Sequence, residues 1–136
     1  WSYAEQLLTA LSYTGIGGRR SSGLGRFTLE TAACPKALAD RLTGKGYTEY
    51  MTLSIALPDQ QELEQACEDS RFNLVKRSGF VASVTYAEEH LKKRDFYGMA
   101  AGSTFRNLFK GNLYDVSFKG RHPVYRYGYP LFVGIR

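Results

Sequence analysis

The sequence predicts an α+β protein, and three observations carry that assignment. Over 47–57 the residues alternate, with Tyr47, Glu49, Met51, Leu53, Ile55 and Leu57 on one side and Thr48, Tyr50, Thr52, Ser54 and Ala56 on the other. That is the period of a strand. A short helix and then two strands follow, and strand, helix, hairpin is the first half of a ferredoxin-like domain. Near the start, a helical period over 2–14 runs into a glycine-rich loop and then into a second alternating stretch.

In chain order, Ser2 and Glu5 have capping-box spacing, and Tyr3, Leu7, Leu8 and Leu11 line one helix face expected to be buried. Thr14-Gly15 ends this helix, since glycine tolerates the left-handed conformation just past a helix terminus. Over 26–31, Phe27 and Leu29 alternate with Thr28 and Glu30, which predicts a half-buried strand. Residues 35–42 read as a short helix with Leu38 and Leu42 one turn apart, broken by Gly44-Lys45-Gly46. A domain boundary is expected there, dividing the chain into 1–46 and 47–136.

Pro58 ends the long strand, and Asp59 with Glu62 caps a helix whose apolar side carries Leu63, Ala66 and Cys67. Residues 72–76 and 80–86 are expected to form a hairpin that turns at Ser78-Gly79. The charged stretch 87–95 reads as a mobile connection, ordered in part by a partner. Four β-rich segments follow, over 96–105, 113–118, 124–127 and 131–135, with no further convincing helix. The back half is therefore expected to be a modified ferredoxin-like fold, with the helix after the hairpin replaced or lost.

The most distinctive chemistry lies in residues 15–26, which hold Gly15, Gly17, Gly18, Gly23 and Gly25, Arg19, Arg20 and Arg26, and Ser21 and Ser22. Successive glycines can turn amide N–H groups toward one concave site, arginine forks suit phosphate, and serine hydroxyls add short donors. A polyphosphate or nucleic-acid backbone is the fitting occupant. Two glycine motifs are excluded. The dinucleotide fingerprint fails because Arg20 follows Gly15 and Gly17 at the third glycine position, and the phosphate loop fails because Leu24-Gly25 follows Gly23 where lysine and a hydroxyl residue are required. Helix, loop, strand is also the wrong order for a nucleotide fold.

The formal charge of +5 and pI near 9.3 suit a polyanionic partner. The distribution says more, since Arg106, Lys110, Lys119, Arg121, Arg126 and Arg136 face only Asp115 over 106–136, while Asp59, Glu62, Glu64, Glu68 and Asp69 make one acidic helix. Cys34 and Cys67 are too few and too far apart for a zinc motif, Asp40, Asp59 and Asp95 form no spaced ligand cluster, and no cofactor or metal is expected. Ser21 and Ser22 have no nearby histidine to make either a nucleophile. No apolar run is long enough to cross a bilayer, and a reducing cytoplasm is expected. His90 and His122 lack an identifiable second proton donor, so catalysis is not expected. Tyr125, Tyr127 and Tyr129 alternate onto one face, where rings can stack on bases, although filling the core is the expected role. Arg126, on the other face, is a secondary candidate for RNA.

Residues 15–27 resemble the glycine-rich loop of the RAMP superfamily of CRISPR-associated proteins, which joins the second helix of a ferredoxin-like (RRM-like) domain to its fourth strand and touches guide RNA. Gly102-Ser103-Thr104-Phe105 and His122-Pro123-Val124-Tyr125-Arg126-Tyr127-Gly128 are similar to the C-terminal region of the subunit-four family of type III-A (Csm) effector complexes. The resemblance implies that 1–46 is the end of an RRM-like domain whose earlier part is missing. It also implies a non-catalytic subunit that holds the 5′ repeat-derived handle of crRNA beside a large polymerase-domain subunit and backbone RAMP subunits. The alternative within the superfamily is a metal-independent endoribonuclease that processes CRISPR RNA, but those relatives carry the loop near the chain end, whereas most of this chain follows Arg26.

Overall fold

Helix α1, Ser2–Thr14, opens the computed structural model, which describes residues 2–44 and 46–136. The chain divides into two compact units, the first ending at Cys34 and the second starting at Pro35. Trp1 and Lys45 lie outside the described residues, so the expected interruption at Gly44-Lys45-Gly46 is seen only through its two glycines, with φ of 66° and 84°.

In the first unit, α1 does not bury the stripe expected of it. Tyr3, Leu7 and Leu8 are exposed, Leu11 is half-buried, and Ser12 is the buried residue. The reason is that residues 26–31 form no strand and so present no sheet for the helix to cover. That segment is extended, with Phe27 and Leu29 half-buried between exposed neighbours, and its Phe27 N–H bonds to the Ser12 carbonyl at 3.4 Å. The alternation predicted over 26–31 is therefore present, but the ladder partner is not.

The second unit contains α2 (Lys36–Thr43), β1 (Tyr50–Thr52), α3 (Leu63–Cys67), β2 (Leu74–Arg77), β3 (Phe96–Met99), β4 (Thr104–Phe105), β5 (Leu113–Asp115), β6 (Tyr125–Tyr127) and β7 (Phe132–Gly134). Its sheets are antiparallel: β4-β1-β7, with Met51 opposite Thr104 and Val133; β2-β3, with Leu74 opposite Met99; and β5-β6, with Tyr114 opposite Arg126. The protein is thus α+β, as expected.

Two elements depart from the sequence reading. The strand over 47–57 shrinks to three residues, because Thr52 Oγ1 donates to the Ser54 carbonyl at 2.9 Å and turns the backbone. Its inner face is the more polar one, Tyr50, Thr52 and Ala56, while Leu53 is 47% exposed. Burial is tolerated because the Tyr50 hydroxyl donates toward the Tyr47 and Gly44 carbonyls, at 2.8 and 3.0 Å. The second departure is the hairpin. Residues 80–86 do not return along β2; instead β2 pairs with β3, and the ladder extends through Phe80 opposite Lys92 and the Val81 N–H on the Leu91 carbonyl. The stretch read as a mobile connection is therefore ordered in its latter part. Burial over 80–86 does not alternate: Val81 and Tyr86 are buried while Phe80 and Val84 are 63% and 93% exposed, and Val81 and Tyr86, five residues apart, cannot share one face of a strand.

Ala56, Ala66, Met99, Phe105 and Phe109 form the core, with Cys67 and Phe132 packed against it. The rings of Phe105, Phe109 and Phe132 meet edge to face, with centroids 5.2 to 5.7 Å apart. A satellite centres on Tyr86, whose hydroxyl donates to the Phe118 carbonyl at 3.0 Å and accepts from the Phe118 N–H at 2.6 Å. Glu62 joins α3 to the segment before β5. Its carboxylate accepts from the backbone N–H groups of Asp59, Lys110 and Gly111, each within 3.0 Å.

Candidate nucleic-acid interface

The glycine loop leaves α1 through Gly15, whose N–H bonds to the Leu11 carbonyl at 2.7 Å with φ of 81°. It closes on itself at once. The Ile16 N–H donates to the Gly25 carbonyl at 2.9 Å, and a Cβ at Gly25 would run into the Ile16 carbonyl. Gly15, at φ of 81°, sits more loosely against Leu24 and Gly25, where a Cβ would come within 3.0 to 3.1 Å of the backbone, so the neck excludes a side chain at Gly25 and strains one at Gly15.

Beyond the neck the chain is open. Gly17, Gly18 and Gly23 have free space on their Cα atoms, and a single 3₁₀ turn, Arg20–Ser22, is held by Ser22 N–H to the Arg19 carbonyl and Gly23 N–H to the Arg20 carbonyl. Arg19, Arg20, Ser21 and Ser22 are exposed on this tip, and Arg26 is exposed just past the neck. Among the described residues, none of the three guanidinium groups has an ion-pair partner. Nor do the N–H groups of Gly17, Gly18, Arg19 and Ser21 have internal acceptors. Arg26 also borders a cleft of about 430 Å³ lined by Glu5, Thr9, Ser12, Tyr13 and Thr28. Chemically, the tip is a set of unspent donors and fixed positive charge that can accept an anion.

In the second unit, Arg126 is half-buried on β6, and its neighbours Tyr125 and Tyr127 are 59% and 68% exposed. The expectation that these tyrosines fill the core is corrected. β5 and β6 form a two-stranded sheet, and Tyr114 and Arg126 occupy its inner side, leaving Tyr125 and Tyr127 outside. Tyr129 is half-buried against the Tyr127 ring.

The histidines are placed apart from one another. His90 is exposed in the loop after Val81, whereas both ring nitrogens of His122 are engaged. Nδ1 faces the Pro123 carbonyl at 2.9 Å and must donate to it, while Nε2 is hydrogen-bonded to Ser83 Oγ at 3.1 Å. This clasp joins residues 39 apart and was invisible to a reading of local spacing. Among the described residues, no group of three or more His, Cys, Asp or Glu is placed to hold a metal ion, and no helix is long and apolar enough to cross a membrane.

Fold and loop together define an α+β protein of antiparallel sheets carrying an exposed cationic glycine loop. Residues 45–135 match the family model described as the CRISPR Csm4 C-terminal domain, and the chain belongs to that family. It is 47% identical over 131 residues to the CRISPR system Cms protein Csm4 of Mycobacterium tuberculosis, covering 95% of this chain and 42% of that protein. It is 43% identical over 129 residues to the protein of the same name from Streptococcus thermophilus, covering 94% and 43%. The chain thus spans less than half the length of these relatives.

Proposed function

We propose that the chain is part of a non-catalytic, crRNA-binding subunit of a type III-A (Csm) interference complex, and that its glycine loop grips the sugar-phosphate backbone of the 5′ handle. The observation that carries this is the loop itself: a pinched neck presenting Arg19, Arg20 and unsatisfied amides, with Arg26 beside it. A phosphodiester satisfies both the arginine forks and the amides, and because neither reads a base edge, the grip fixes the path of the strand more than its sequence. Family membership supports a place in a multi-subunit Csm assembly. On this reading the loop closes an RRM-like RAMP domain, and residues 47–136 are a modified ferredoxin-like domain. The large polymerase-domain subunit and the backbone RAMP subunits are its neighbours in the cytoplasm. Catalysis is not assigned, since His122 is committed to Ser83 and Pro123.

Salt titration of binding tests the proposal. Replacing Arg19, Arg20 and Arg26 together by Gln in the full-length protein should flatten the slope of log K against log salt for single-stranded handle RNA by about 2, at about 0.7 per phosphate contact. A slope equal to that of the unmodified protein overturns it.

A further inference from the structure

Three consecutive cations, Lys92, Lys93 and Arg94, enter β3, and two of them are spent inside the fold. Lys92 Nζ lies 3.5 Å from Asp95, and the Arg94 guanidinium donates to the Asp115 carbonyl at 3.3 Å. Lys93 is half-buried and has no ion-pair partner among the described residues. Its backbone is fixed by its N–H on the Gly79 carbonyl at 3.1 Å. The next residue, Arg94, bonds through its N–H to the Val116 carbonyl, and the Val116 N–H bonds to the Val124 carbonyl, both at 2.8 Å. This lateral run of bonds brings the Lys93 segment to the start of β6, where Arg126 follows two residues later.

Arg126 is the second half of the arrangement. Its Nε is shielded from solvent and has no acceptor among the described residues. A buried N–H without an acceptor is costly, and an incoming oxygen would relieve that cost. Burial first, and then the charge of Arg126, hold the Lys93 ammonium below the ordinary lysine value, as expected of two neighbouring cations with no anion between them.

We infer that Lys93 and Arg126 form a second phosphate-binding position for single-stranded RNA, on the C-terminal unit. A phosphodiester accepts from both the ammonium and the guanidinium and removes their mutual repulsion. A protein carboxylate has the same sign, but Tyr125 and Tyr127, next to Arg126 in β6, expose their rings on the outer side of the same two-stranded sheet, where bases of a strand held at Arg126 can stack. The inference rests on the RNA-binding reading proposed for the loop and extends it to a site outside the loop.

Fluorescence anisotropy of the full-length protein with labelled single-stranded RNA across a salt series tests it. Lys93→Gln should lower the salt slope by about 0.7, and Lys93→Gln with Arg126→Gln by about 1.4. Lys93→Gln removes a charge that is repelled in the free protein, so it keeps the test open should the double variant fail to fold. If Lys93→Gln leaves the slope unchanged while the loop triple variant lowers it, this site is overturned and the loop reading stands. If Lys93→Gln lowers the slope and the loop variant does not, this site stands and the loop reading fails. Lost assembly with a protein subunit at unchanged RNA slope would mark the pair as a contact for an acidic protein surface, and would also overturn the inference.

Discussion

Glu62 shows how much a single side chain carries. Burial pushes its carboxyl upward, but the N–H groups of Lys110, Asp59 and Gly111 and the Lys110 charge more than reverse this, leaving the pKa below the ordinary 4.5. A carboxylate whose pKa is depressed on folding contributes stability that is present above the unfolded value and lost as pH falls through the folded one. Glu62→Gln should therefore cost about 1–3 kcal/mol at pH 7, and the difference from the unmodified protein should narrow toward pH 3, measured by urea unfolding at both pH values. Tyr114 behaves oppositely. Burial, then the charges of Asp59 and Glu62, push its phenol up to about 12, and its hydroxyl donates to the carbonyls of Leu57 and Pro58. Its stabilising share is present below pH 10 and disappears as the pH rises through the folded value, so ultraviolet titration should show a late-ionising tyrosine that Tyr114→Phe removes. The pairing of Asp59 with Glu62, whose carboxylate accepts from the Asp59 N–H, was readable from a spacing of three, but it does not cap α3, which starts at Leu63 with no side-chain cap. The grip of Glu62 on Lys110 and Gly111 was not readable, because that contact is made by residues 48 and 49 positions away.

At the scale of elements, the sequence reading located the β-rich segments but mispaired one of them. Gly79 looked like a turn and is instead a bend within a longer ladder, with φ of 135°. The pattern over 80–86 could not reveal that Phe80 and Val84 would remain in solvent while Val81 and Tyr86 are buried, since a period of two is the same on either side of a sheet. Hydrogen exchange distinguishes the two arrangements: the amides of Val81 and Lys93, bonded to the Leu91 and Gly79 carbonyls, should exchange markedly more slowly than that of Val84. The loop was read more fully, since glycine and arginine content bears directly on backbone freedom and charge, although its closure between Ile16 and Gly25 required the structure. Gly25→Ala places a methyl group against the Ile16 carbonyl at φ of 85° and should open the neck. RNA affinity should fall while the urea midpoint of the second unit stays within error.

For the whole molecule, family membership was legible in two short motifs at opposite ends of the chain, whereas sheet partners and tyrosine exposure were not. Partnering depends on contacts far apart in sequence: Thr48 and Glu49 N–H groups bond to the Arg136 carbonyl, tying the residues just before β1 to the last residue of the second unit. Fixing such contacts requires the collapsed core, so the Phe105, Phe109 and Phe132 cluster should govern global unfolding. Phe105→Ala is expected to remove about 3–5 kcal/mol, a large share of the stability of any domain this size, as a drop in urea midpoint at unchanged m-value.

The pinch between Ile16 and Gly25 separates anchorage from reach. Residues could be inserted or deleted across 17–23 without disturbing the helix on one side or the extended segment on the other, so the tip is a replaceable cassette. Homologous proteins could therefore vary its length and cation content to follow different strand paths while keeping the same clasp at its base.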